Sequence, residues 1–213
     1  MIELPWSVSD SATIAERIAG SLAQRIAEGE IEAGEVLTEV EVASFYEASR
    51  TPAREAMLKL EKWGLVRLAP KKGAIVTSPS VRERRELLAV RAMLETNAAA
   101  SVDADLVARL DENLREQATA LADPHRFALL DYAFHLEIVG HDDNRVVNEI
   151  AHTLAPRLFR LTHRAVAHAA DLSRLYEEHA ALADALRTGS QETFRTLISC
   201  HLDAGHMGYE VSE

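Results

Sequence analysis

Cysteine is almost absent from this chain of 213 residues: Cys200 stands alone, so no intrachain disulfide framework holds the fold. Aromatic residues make up 5% of the sequence, and no apolar run approaches the roughly 20 residues that a bilayer-spanning helix needs. The N-terminus lacks the basic-then-apolar pattern of a secretory signal, and there is no low-complexity tract or clear internal repeat. These absences exclude a disulfide scaffold and a helical membrane protein, and predict a cytoplasmic globular protein with no membrane partner. Positive charge is scarce as well. The 23 Lys and Arg stand against 34 Asp and Glu, and the resulting net charge of −11 opposes nucleic-acid binding at first sight.

The distribution of charge removes that objection. Residues 1–78 hold nine Lys/Arg and twelve Asp/Glu, residues 79–213 hold fourteen and twenty-two, and between Arg50 and Lys72 seven basic side chains meet only Glu55 and Glu61. A local basic face on an acidic body fits a protein that binds one DNA site and is repelled from most others, with marked salt sensitivity.

The segment Leu37–Val66 reads as two short helices joined by a tight turn. Thr38-x-x-Glu41 is a capping box for the first helix. Ser49 is a candidate N-cap for the second, and Pro52 falls in a first turn whose N–H groups have no intrahelical partner. Ala56, Leu58 and Leu60, with Met57 and Trp63, form the predicted buried stripe, which leaves Arg50, Thr51 and Arg54 near the exposed N-terminal end. In a helix-turn-helix those positions reach base edges, and Arg can donate two hydrogen bonds to guanine. After Gly64, two short strands surround a tip of Lys71, Lys72 and Gly73, a wing suited to phosphate or minor-groove contact. Upstream, Ile14, Ile18, Leu22 and Ile26 recur every four residues over 10–28, predicting an amphipathic helix on the winged domain.

Ser49-Arg-Thr-Pro-Ala-Arg-Glu-Ala56, the following Leu60-Glu-x-x-Gly-Leu-Val66 and the Lys-Lys-Gly tip closely resemble the winged-helix domain of GntR-family transcription regulators. The resemblance implies operator contact by Arg50, Arg54 and Gly73. Two departures stand out. Val40 occupies a position where many members carry another DNA-contacting arginine, and Glu47 stands where the inter-helix turn usually has glycine, the residue that most easily adopts φ > 0.

The domain boundary is placed at Thr77-Ser-Pro-Ser80, giving a winged helix-turn-helix domain over 1–78 and a second domain over 79–213. Six helices are predicted beyond it, at about 81–101, 104–122, 125–141, 144–168, 171–188 and 190–208. The fold class is therefore mainly α: a winged helix followed by an antiparallel all-helical bundle.

Seven of the nine histidines lie between His135 and His201, and Asp131 with His135 places a carboxylate and an imidazole one helical turn apart on one face. His179 and His201 lie on consecutive helices around the Gly189 turn, where antiparallel packing can bring them level. Three imidazoles and one carboxylate suit Zn²⁺, Ni²⁺, Mn²⁺ or Fe²⁺ with positions left open. Against this stands the ordinary fate of a helical histidine, which is a solvated or capping residue. Cys200 reads as a small buried apolar residue, and His206 as the alternative ligand to His201.

Asp131-Tyr-Ala-Phe-His135, Glu178-His179-Ala-Ala-Leu-Ala-Asp-Ala-Leu186 and His201 resemble the signatures of the FCD effector domain in the FadR branch of that family. The resemblance implies a divalent metal held by Asp131, His135, His179 and His201, beside which a small carboxylate effector binds; six helices suggest the VanR-like subgroup. Arg91 occupies a position that often faces the pocket, where it would pair with an effector carboxylate. The alternative is an Arg91–Glu95 surface pair. Asn148, His152, Arg157 and Arg160 are further candidates for the cavity wall.

The sequence thus predicts a homodimeric, ligand-responsive regulator, a repressor released from palindromic double-stranded operator DNA by a small organic acid bound at the metal. Two rivals are a regulator whose signal is the metal ion itself and a metal-dependent enzyme. Glu137, two residues after His135, projects from another face and supplies no general base for the latter.

Overall fold

In a computed structural model, residues 12–207 are described, with side chains through Asp203. The described residues contain nine helices and three strands, and fall into two compact units: residues 12–80 with Thr153–Arg160, and Val81–His152 with the residues from Leu161 onward.

The first unit begins with α1 (Ile14–Ala27), closed at its start by a capping box between Thr13 and Glu16. Its buried face carries Ile18, Leu22 and Ile26, while Ile14 is half exposed in the first turn. A two-residue strand β1 (Val36–Leu37) leads into α2 (Glu39–Phe45), whose predicted Thr38–Glu41 capping box is present, at 3.2 Å from Glu41 N to Thr38 Oγ1 and 3.1 Å from Thr38 N to Glu41 Oε2. The turn that follows is built by Glu47 at φ 50°, so a non-glycine residue accepts the left-handed backbone there.

Helix α3 (Arg50–Lys62) starts where the sequence predicts, but Ser49 makes no side-chain cap hydrogen bond. Its buried stripe is Ala53, Ala56, Met57 and Leu60; Leu58 is 48% exposed, because only positions three and four apart share the inward face. Strands β2 (Val66–Ala69) and β3 (Gly73–Val76) form the wing hairpin, and β1 pairs on the other side of β3 to give an antiparallel sheet of order β1-β3-β2. That third strand was not expected. Gly73 has φ +107°, and a Cβ there would lie 2.3 Å from the Leu37 carbonyl oxygen. Only glycine permits β1 to approach β3 at this point.

The second unit is helical: α4 (Val81–Ala98), α5 (Ala104–Thr119), α6 (Pro124–Gly140), α7 (Arg145–His168), α8 (Leu172–Arg187) and α9 (Gln191–Met207). The six predicted helices are all present with small shifts at their ends. Asp103, Asp123, Asn144 and Asp171 cap α5 to α8 through their side chains, and Pro124 occupies the first turn of α6. Residues Thr153–Arg160 of α7 group with the first unit. The helical core contains Leu106, Leu110, Phe127, Phe134, Ile138, Leu182, Phe194 and Ile198, all nearly inaccessible to solvent. Cys200 is exposed rather than buried: α9 turns Phe194, Ile198, His201 and Leu202 inward, and position 200 falls outside that stripe. The His206 side chain lies outside the described residues.

Candidate metal centre and DNA-reading surface

Helices α6, α8 and α9 each bring one histidine inward. His135, His179 and His201 are buried, and one ring nitrogen from each falls within 4.8 Å of the others. Asp131, one turn before His135, lies beside them. Its Oδ1 is 3.8 Å from His135 Nε2 and its Oδ2 is 3.6 Å from His179 Nε2. His179 is fully buried between rings, stacked at 4.9 Å on Phe134 and at 6.3 Å on Phe127.

Each imidazole is also held from behind. His135 Nδ1 is 2.7 Å from Glu95 Oε2, His179 Nδ1 is 2.8 Å from Gln117 Oε1, and His201 Nδ1 is 2.8 Å from Glu178 Oε2. With every Nδ1 engaged by an oxygen, the Nε2 atoms are left to face the centre, and those of His135 and His179 are 3.3 Å apart. Two unprotonated nitrogens at that separation repel each other unless a metal cation or a shared proton lies between them. Two nitrogens bound to one Zn²⁺ at about 2.0–2.1 Å subtend about 3.3 Å at a tetrahedral angle. The donor set and its supports therefore fit a divalent transition metal.

Burial governs the electrostatics. It raises the Asp131 carboxyl to about 6 in spite of Arg91, raises Glu95 as well, and lowers His179 well below the usual histidine range. Glu178, nearer solvent, is lowered by its hydrogen bond with His201. Deprotonated Asp131 and neutral His179 are the forms a cation selects.

Arg91 corrects one alternative drawn from the sequence. Its pair with Glu95 exists, at 2.9 Å from Nε to Oε1, but it is buried, with side chains 4% and 0% exposed. Nη1 donates to Thr162 Oγ1 at 3.3 Å. Nη2 has no hydrogen-bond partner and lies 4.0 Å from Asp131 Oδ1. A buried guanidinium nitrogen without an acceptor is a costly arrangement unless an oxyanion fills the gap.

Of the other candidates on α7, His152 is exposed, Asn148 and Arg157 are half-buried, and Arg160 is buried with Nη1 donating to the Thr77 carbonyl. The α7 residue that joins the described network is Thr162, which the sequence did not single out. Glu95, Gln117 and Glu178 were likewise missed as supports. Glu95 was visible four residues after Arg91 and Glu178 immediately before His179, whereas Gln117 carried no signal. Glu137 is engaged elsewhere, 2.7 Å from Arg109 Nε.

In the first unit, Arg50, Arg54, Lys71, Lys72 and Gly73 line one groove between the start of α3 and the wing, together with Val40; Thr51 is exposed but outside that lining. Both arginines are turned toward Glu39, at 3.3 Å from Arg50 Nη2 and 3.8 Å from Arg54 Nε. Val40 is 58% exposed.

Comparison with known proteins gives a family to each part. The FCD domain matches residues 86–204, and the gntR family of bacterial regulatory proteins matches residues 14–76. Among curated relatives, the gluconate operon transcriptional repressor of Bacillus subtilis is 28% identical over 188 residues, covering 83% of this chain and 77% of its own. The HTH-type transcriptional repressor RspR of Escherichia coli is 25% identical over 175 residues, covering 79% and 77%. Among solved structures, E. coli McbR/YncC superposes with a TM-score of 0.75 and a putative GntR transcriptional regulator from Rhodococcus sp. RHA1 with 0.77. Each is 21% identical and covers 91% of this chain and 95% of its own, a likeness of fold.

Proposed function

Since the chain belongs to the GntR family of bacterial transcription regulators and carries its FCD domain, we propose that it is a homodimeric, cytoplasmic repressor released from operator DNA by a small organic acid bound at a divalent metal. Residues 1–78 are the DNA-binding domain in this reading and 79–213 the effector-binding and dimerisation domain. The curated relatives named as repressors support the sign of regulation.

Arg50, Thr51 and Arg54 read bases from the exposed start of α3, while Lys71, Lys72 and Gly73 of the wing approach the backbone. A dimer supplies the second half-site. Asp131, His135, His179 and His201 hold the metal, which when bound supplies a Lewis-acidic centre with coordination positions open to a carboxylate. Arg91 Nη2 meets the same carboxylate.

The observation that carries this reading is the buried Arg91 nitrogen without a hydrogen-bond acceptor beside three convergent imidazoles and the Asp131 carboxylate. That nitrogen's charge contact with Asp131 at 4.0 Å leaves its hydrogen-bonding capacity for an oxyanion unfilled. The test is retention of genomic fragments by the purified protein at physiological salt, with and without a stringent chelator and with carboxylic acids added singly. Recovery of a few fragments sharing a short palindrome, released by one acid only while metal is present, is the expected result. Indiscriminate retention overturns the reading. Release that follows free metal at fixed acid favours the ion itself as signal, which the enclosure of all three histidines in one unit would allow.

A further inference from the structure

Asn113 and Gln117 lie one turn apart on α5, a helix that contributes no metal ligand. Asn113 Nδ2 donates to the Leu130 carbonyl at 3.1 Å, Gln117 Nε2 donates to Asn113 Oδ1 at 2.7 Å, and Gln117 Oε1 is 2.8 Å from His179 Nδ1. The polarity of this series is fixed from one end. A backbone carbonyl can only accept, so Asn113 must turn its NH₂ toward Leu130 and its oxygen toward Gln117. Gln117 must then turn its own NH₂ toward Asn113, which leaves its oxygen for His179. That oxygen requires a proton on His179 Nδ1, and the neutral ring then has its lone pair on Nε2.

The alternative tautomer has something to gain. A proton on His179 Nε2 would find His135 Nε2 at 3.3 Å as an acceptor, with the Asp131 carboxylate nearby at 3.6 Å. The site would then satisfy its own hydrogen bonds and lose the lone pair a cation needs. The other two histidines are oriented by carboxylates, Glu95 and Glu178, whereas His179 depends on a neutral amide. Gln117 is completely buried. A buried amide that spends both ends on hydrogen bonds is an expensive residue where leucine would pack, and orienting a ligand supplies a reason for it.

We infer that Gln117 is a positioning residue of the metal centre: the Leu130–Asn113–Gln117 relay locks His179 in the Nδ1–H tautomer and keeps the site from closing on itself. This rests on the metal reading above. The test combines Zn²⁺ affinity, from competition with a chromophoric chelator, with the ¹⁵N shifts of the His179 ring in metal-free protein. In the parent the ring is Nδ1–H. In Gln117→Leu the Nε2–H form appears and Zn²⁺ affinity falls by about 10- to 100-fold, the range of outer-shell substitutions. Gln117→Glu, which keeps an acceptor at the same reach, retains the Nδ1–H ring and recovers most of the affinity. Should Gln117→Leu not fold, Asn113→Leu tests the same relay from a half-buried position, releasing the Gln117 amide to rotate and again admitting the Nε2–H form. Equal Zn²⁺ affinity in parent and Gln117→Leu with the tautomer unchanged overturns the relay alone, as does equal loss in the Leu and Glu variants with Nδ1–H retained. A parent that takes up no Zn²⁺ while its His179 is already Nδ1–H overturns the metal reading, and with it the purpose of the relay.

Discussion

Arg50 and Arg54 keep 71% and 73% of their side chains in solvent, whereas Arg91 keeps 4%, and the same guanidinium does different work in the two places. Among the described residues, the arginines at the start of α3 are held by Glu39 across 3.3 and 3.8 Å, a weak and salt-screened restraint that an anion can replace. Inside the bundle Arg91 is fixed by Glu95 and Thr162, and its one remaining nitrogen is committed in direction. In the proposed roles, a surface that reads a polymer needs long side chains still able to adjust, while a site for a small anion needs its donors placed beforehand.

The sharpest way to break this contrast is to make the same substitution in both regions. Arg91→Met removes the partner of a fully buried carboxylate and is expected to cost roughly 3–5 kcal/mol of stability. Arg50→Met, at the surface, should change stability by less than about 0.5 kcal/mol. Denaturant unfolding of the two variants checks both, and similar values would show that the Arg91–Glu95 pair is not what holds α4 in place. Next in size, His179→Ala removes a proposed metal donor and should lower Zn²⁺ affinity by more than the roughly 100-fold that bounds outer-shell changes, with operator affinity in the absence of effector retained. Chelator competition measures the first quantity and fragment retention the second. For the exposed arginines, Arg50→Ala or Arg54→Ala should cost about 1–3 kcal/mol of operator binding, which is about 5- to 150-fold, leaving Zn²⁺ affinity untouched. Variants that bind the operator as tightly as the parent would remove these two residues from the reading head.

The smallest effect expected is electrostatic. Glu16 is lowered to about 2, chiefly by its hydrogen bond with Lys59 at 2.8 Å and also by the bonds that the Thr13 N–H and hydroxyl donate to its carboxylate. A carboxyl with a depressed folded value adds stability that is complete above the ordinary value of 4.5 and is lost as the pH falls toward 2. Glu16→Gln should therefore lower the melting temperature slightly at pH 6 and by less at pH 3. A larger loss at pH 3 than at pH 6 would reverse the sign and refute the assignment.

How far the sequence disclosed this molecule depended on which signals are local. Helix starts were legible at Thr38, Asn144 and Pro124 because these residues act within one turn of themselves. Strand β1 was not, since two residues, Val36 and Leu37, show no alternation and are recruited by β3 from far along the chain. The same division runs through the candidate metal centre. Asp131 and His135 share a helix face and announce each other, and the spacing of His179 and His201 follows from an antiparallel turn. Gln117 had no such companion: on an amphipathic helix a buried glutamine looks like one more solvated polar residue until the partner on α8 is known. Glu178 was readable only as part of a motif around His179, yet it supports His201 across the helix pair. Cys200 was misjudged for a related reason, because composition favours burial for cysteine and only the neighbouring inward residues of α9 decide against it.

Gly73 bears on how this protein's genetics should be interpreted. Because a Cβ at that position would strike the Leu37 carbonyl, any substitution disturbs β1 pairing before it reaches a phosphate. If Arg50 reads the operator as proposed, a selection for variants that no longer regulate will return Gly73 as well as Arg50, one for loss of shape and the other for loss of reading. The two phenotypes separate only when folded protein is quantified alongside them, so a map of inactive alleles across the wing records architecture and recognition superimposed.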